Sequence, residues 1–150
     1  MKTLFDRALA DDLIARTAHL SMNPPALWGK MNAAQAAAHC ADALEVASGD
    51  RQPPRMLIGK LLGPIIKRLA IGDDKPMRPN SPTTPDLVIT DARNVEHERA
   101  RLCAQITRFV SAGPAGVTRH PHAFFGPLTP QQWANLQFKH LDHHLRQFGA

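Results

Sequence analysis

Two helix-start signatures constrain this chain more than any other feature. At Thr129-Pro130-Gln131-Gln132 a hydroxyl residue precedes a proline, and a glutamine follows three residues after the threonine. The hydroxyl can take the backbone N–H of the glutamine while the glutamine amide reaches back to the threonine N–H. The proline, lacking an N–H, sits where none is needed. Asn32 and Gln35 repeat the pattern. Each box opens a long run free of proline and glycine, one reaching Ser48 before Gly49 and the other Gln147 before Gly149. Such punctuation demands helices.

Two further helices are predicted by apolar spacing of three and four. One covers about residues 6 to 20 on Leu9, Leu13 and Ile14, and Ser21-Met22-Asn23-Pro24-Pro25 stops it. The other runs from about Arg93 to Ala112 on Val95, Leu102, Ile106, Phe109 and Val110, closed by Gly113-Pro114. Aromatics make up only 5% of the chain and tyrosine is absent, while alanine and leucine dominate, which favours helix over strand. The expectation is an all-α fold in one domain, residues 1–150.

An insert of about forty residues separates the second and third of these helices. Its first part, 56–71, is apolar with Lys60, Lys67 and Arg68 interspersed and Pro64 in the middle. That is too short and too charged to span a bilayer. An interfacial amphipathic helix is one reading; the expectation adopted is one or two short helices, broken near Gly63-Pro64, capping the bundle. In the second part Pro76, Pro79, Pro82 and Pro85 recur every three residues. This is the repeat of polyproline II and predicts an extended connector along the domain surface.

Chemistry is concentrated in His140-Leu141-Asp142-His143-His144-Leu145-Arg146-Gln147. Residues four apart lie one turn above each other on a helix, so His140 and His144 project together and offer two nitrogens to a transition metal. His143 competes as the inner residue, but the pair four apart is offset by about 40° rather than 60°. A third ligand must come from elsewhere, and His39, set among Ala36, Ala37, Ala38 and Ala41, is the candidate. Inward imidazoles in a bundle core would satisfy one another through a metal and leave a coordination position open. The plainer alternative for each is a core histidine held by an ordinary hydrogen bond.

Supporting candidates are Gln35, one turn before His39, and His122 in the loop before the last helix. Gln35 could orient an imidazole or bind a metal-bound water, and Gln147 could do likewise or cap the last turn. His122 could serve as acid or base over the mouth, or fix its loop. Asp142 lies roughly 200° from His140 and reads as a salt-bridge residue. Cys40 and Cys103 show no metal or redox spacing, which fits reduced thiols. Met1-Lys2-Thr3-Leu4-Phe5-Asp6 meets charge at once, so no signal peptide is expected and the cytoplasm is the expected compartment. The net charge of +5 raises nucleic acid as a partner. The basic residues are scattered, however, and neither nucleic acid nor membrane is expected. No serine elbow, phosphate loop or carboxylate pair competes.

The pattern His140-x-x-His143-His144-x-x-Gln147 with an earlier histidine resembles the DinB/YfiT-like superfamily. Trp28-Gly29-Lys30-Met31, Ala38-His39-Cys40, Phe124-Phe125-Gly126-Pro127-Leu128-Thr129 and the run 139–149 resemble more closely a subfamily of unknown function. The resemblance implies a four-helix bundle with a long crossover between the second and third main helices, often dimeric. It also implies a divalent metal, zinc or nickel, on His39, His140 and His144. Relatives include metal-dependent transferases and isomerases that use low-molecular-weight thiols. The expected function is therefore a metal-dependent enzyme that activates a thiol or water against a small-molecule substrate. The alternative is a non-catalytic stress-related module that keeps the bundle and binds nucleic acid or another partner. One departure is His122-Ala123, where the family pattern suggests His-Pro.

Overall fold

The computed structural model describes residues 1–150, and its regular elements are helical. Five α-helices follow in order: α1 Arg7–Thr17, α2 Ala33–Ser48, α3 Leu57–Ile71, α4 Val95–Ala112 and α5 Pro130–Gln147. Short 3₁₀ turns occupy Pro85–Leu87 and Gly113–Gly116. No strand is present beyond one isolated bridge, His122 to Gly126.

The helices begin where local chemistry dictates. Both capping boxes are closed, with Asn32 and Gln35 on α2 and Thr129 and Gln132 on α5 exchanging side-chain and backbone bonds. Asp6 caps α1 through the N–H groups of Ala8 and Leu9, and Asn94 caps α4 through His97. Gly49 closes α2 at φ 88°, a left-handed conformation that costs glycine nothing. α1 ends at Thr17, three residues short of the predicted boundary; Ala18, His19 and Leu20 turn back onto Ala15, Arg16 and Thr17 instead.

Helix α2 is the spine. Eight of its sixteen residues are alanine, and almost the whole helix is buried. Small side chains let neighbouring helices approach closely, and α4 and α5 both pack on it while α1 packs on α4 and α5. Leu13, Leu44, Leu102, Ile106, Trp133, Leu141 and Leu145 fill the space between these four helices. Each such aliphatic side chain stabilises the fold by about 2 kcal/mol relative to exposure. Buried charge is paired: Asp42 meets Arg51 and Arg101 at 2.5 Å each, and Glu98 meets Arg93 and Arg101 at 3.3 Å each. Asp142 bridges helices as expected, bonding Arg16 of α1 and Arg146 of its own helix at 2.8 Å.

The insert corrects the sequence reading in two places. Residues 57–71 form one continuous helix with Pro64 inside it, not two pieces. Proline removes a single N–H from the ladder, and what holds the helix is its glycine face. Gly59 and Gly63, one turn apart, lie against the backbone of Phe124; a Cβ on Gly59 would stand 2.5 Å from the Phe124 carbonyl oxygen. One turn further on, Lys67 donates to the Pro127 carbonyl (3.2 Å). The proline-rich connector is not uniformly extended either. It turns at Pro79–Asn80, with Asn80 at φ 57°, and closes into the 3₁₀ turn at Pro85. Buried Thr84, Leu87 and Ile89 anchor it to the domain.

Candidate metal centre

Two of the three histidine rings are aimed by a partner behind them. His39, 2% exposed, leaves α2 from the middle of its alanine run, and its Nδ1 lies 2.7 Å from the carbonyl oxygen of Leu87. A carbonyl only accepts, so Nδ1 carries the proton and Nε2 is left with a lone pair. The 3₁₀ turn at Pro85–Leu87 is what brings that carbonyl there.

His144 is fixed by a two-step relay. The Gln147 Nε2 donates to the carbonyl of Trp28 at 2.6 Å, which fixes which way round the amide lies. Its Oε1 then accepts from the Nδ1 of His144 at 2.8 Å, so the Nε2 of His144 is also a bare lone pair. The cradle is tight: a Cβ on Gly29, at φ 80°, would come within 2.6 Å of the Gln147 amide nitrogen. The N–H of Leu27 adds a bond to the Gln147 carbonyl (2.8 Å).

The rings of His39, His140 and His144 form a nearly equilateral cluster, with centroids 4.7, 4.8 and 4.8 Å apart and planes edge-on. The Nε2 atoms of His39 and His140 are 2.8 Å apart, and the three ligand atoms lie within 4.8 Å of one another. Without an ion, a proton on the Nε2 of His140 could serve His39, but the lone pair of His144 would stay unmatched. His140 Nδ1 is buried with no hydrogen-bond partner. Buried nitrogen left unpaired costs about 1–3 kcal/mol. A cation shared by the three rings would occupy the lone pairs of His39 and His144 that otherwise stay unmatched, so this donor set fits a divalent metal and could hold one.

Electrostatics agree with that fit. Burial, then the neighbouring rings, pushes His140 well below the ordinary histidine range and His144 down to about 3. His39 is lowered by burial, against the opposing pull of the Leu87 carbonyl and Asp42. At neutral pH all three are neutral, the form that ligates metal. No carboxylate belongs to the cluster.

Of the two rings that competed for the inner position, His144 belongs to the cluster. His143 lies 5.5 Å from Trp28 instead. His122 holds its loop: Nδ1 accepts the N–H groups of Phe124 and Phe125 at 3.1 Å each, and the backbone pairs with Gly126 in both directions. Arg55 donates to its carbonyl (3.1 Å). With Nδ1 accepting, Nε2 must carry the hydrogen. Burial lowers this ring to about 4, so at neutral pH it is a neutral donor. His120 ties two loops, its Nε2 2.9 Å from the Pro53 carbonyl. Cys40 is buried, its thiol pushed up by desolvation, and behaves as packing.

Gln35 departs from its expected place. Its amide oxygen closes the α2 cap and its nitrogen donates to the Asp91 carbonyl (3.1 Å), so both ends are engaged. Gln147 takes the orienting position instead. The partners that sequence reasoning missed, the carbonyls of Leu87 and Trp28, are main-chain groups. Nothing in a side-chain pattern marks a carbonyl that the chain folds back to present, although Trp28-Gly29 sits in one of the segments that carried the family resemblance.

No curated protein matches the chain significantly, and neither does any solved structure. A sequence model of the DinB superfamily matches residues 7–148, a span from α1 to the end of α5 that includes His39, His140 and His144. The chain belongs to the DinB superfamily.

Proposed function

We propose that this chain is a metal-dependent enzyme in which His39, His140 and His144 hold a divalent zinc or nickel ion with a coordination position left open. The observation that carries this reading is that ring nitrogens of His39, His140 and His144 lie within 4.8 Å of one another, with two of the rings oriented from behind by Leu87 and Gln147. When bound to three neutral imidazoles, such an ion keeps its full charge and supplies the acidity that turns a thiol or water into a nucleophile near neutral pH.

The chain's own residues do the rest. Leu87 and Gln147 keep Nε2 of His39 and His144 free of protons. His122, its Nδ1 occupied, offers a neutral N–H donor from the loop before α5. The reaction class is thiol transfer or hydrolysis on a small molecule, with a low-molecular-weight thiol as one substrate. We read α1, α2, α4 and α5 as the DinB-type bundle and residues 49–94 as its crossover. Cytoplasmic residence rests on the free thiols Cys40 and Cys103 and a homodimer on the resemblance, and neither carries this argument.

The nucleic-acid reading has less support. Most arginines are spent on ion pairs, among them Arg16, Arg93, Arg99, Arg101 and Arg108, which reduces the positive charge free for phosphates. The test uses cobalt-loaded, untagged protein and a small thiol such as 2-mercaptoethanol. A new thiolate-to-cobalt absorption band is expected. A spectrum indifferent to thiol at saturating concentration would contradict the thiol-transfer reading.

A further inference from the structure

Helix α3 leaves an apolar face without a partner. Leu57 is 81% exposed, Leu61 77%, Leu69 73%, Ile65 65%, Ile58 54% and Leu62 37%. On a helical wheel these six fall within an arc of roughly 140°. Gly59 and Gly63 lie on the opposite side, seated on Phe124. The helix is thus clipped to the domain by its smallest residues and turns its largest ones outward. An exposed patch of this kind marks an interaction site.

Charge says what covers it. α3 has no acidic residue, while Lys60 and Arg68 are exposed on it. Arg68 falls inside the apolar arc rather than beside it. A protein partner would have to bury that guanidinium against an acid, because interface cores exclude unmatched charge. A second copy of α3 offers none. The two aspartates just past the helix are engaged elsewhere, Asp73 with Lys139 and Lys75 and Asp74 with the N-terminal segment. A bilayer of anionic lipid meets both demands: leucine and isoleucine side chains enter the acyl boundary while a long cationic side chain reaches up to phosphate.

We propose that the outer face of α3 docks this protein on anionic membrane surfaces, lying in the interface. None of the helices is long and apolar enough to cross a membrane, so the attachment is peripheral. It is independent of the metal centre and stands or falls separately from it.

The test is co-sedimentation of the full chain with vesicles of phosphatidylcholine alone, or mixed with phosphatidylglycerol, at low and high salt. Binding is expected on the mixed vesicles, weakened by salt. The double variant Leu61→Ser, Ile65→Ser should lose at least about tenfold in partitioning. Lys60→Gln and Arg68→Gln should each lose about fivefold. These side chains are exposed, so the thermal midpoint reports whether each variant still folds. No binding to the mixed vesicles at low salt would overturn the proposal. So would binding untouched by the Leu61 and Ile65 changes, or a dimer in light scattering that the same double variant splits.

Discussion

Helices α2 and α5 on one side and α3 on the other are all rich in apolar residues, yet they are held in opposite ways. α2 and α5 bury their side chains among their neighbours, and two of their histidines, His39 and His144, are aimed by partners that other parts of the chain hold in place. α3 touches the domain along Gly59 and Gly63, with Lys67 and Ile71 fastening its far end, and leaves its large apolar side chains from Leu57 to Leu69 in solvent. Where side chains are enclosed, position is determined and chemistry can be built. Where glycines make the seat, the helix is a platform whose outer face stays available.

The comparison can be broken at its strongest point first. In metal-loaded protein, His140→Ala should abolish the ion's contribution to stability. For an ion a thousandfold above its Kd that is about 4 kcal/mol, or on the order of 10 °C in thermal midpoint for a chain this size. Calorimetry with and without a chelator reads it directly; chelation should lower the wild type and leave the variant unmoved.

Next comes the contrast within α3. Gly63→Ala places a methyl against the Phe124 carbonyl oxygen, which is backbone and cannot turn away. Overpacking of this kind costs about 3 kcal/mol at the upper end, whereas Leu61→Ala on the outer face should stay within about 0.5 kcal/mol. Equal effects in urea denaturation would mean that α3 does not rest on its glycines.

Gln147→Leu keeps the volume but removes the relay from Trp28 to His144. A lost orienting partner typically weakens metal affinity 10- to 100-fold, so competition with a chromogenic chelator should show a change near thirtyfold, about 2 kcal/mol. An unchanged affinity would mean the ring is oriented by packing alone.

The smallest effect concerns acid. His122 is lowered to about 4 by burial, below the unfolded value near 6.5. Between those values the unfolded chain binds the extra proton, so the stability this ring contributes is whole above pH 6.5 and declines as pH falls towards 4. At pH 5 the loss is roughly 2 kcal/mol. It should shrink in His122→Gln, measured as the pH dependence of the denaturation midpoint in metal-free protein.

The sequence carried the enclosed region well. Asn32 with Gln35 and Thr129 with Gln132 mark the starts of α2 and α5 because a cap is a local event among neighbouring residues. His39, His140 and His144 were legible as a cluster because helical periodicity and a buried polar residue amid alanines are both visible in one dimension. Gln35 misled for an instructive reason: its spacing serves a cap and an orienting role equally, and the cap, being nearer, takes the amide. The Leu87 and Trp28 carbonyls, which decide the tautomers, were invisible because any residue supplies a carbonyl. The continuity of α3 through Pro64 was hidden for a similar reason. It rests on contact between two glycines and a loop sixty residues away, and proline looks like a break unless that contact is known.

The central claim is that three imidazoles from two distant stretches of chain hold one ion. Elemental analysis of untagged protein after exhaustive dialysis tests it most directly. The prediction is close to one divalent ion per chain in the wild type, falling to background in His140→Ala while the helical circular dichroism signal is retained. Metal well below stoichiometry that the substitution leaves unchanged would contradict it.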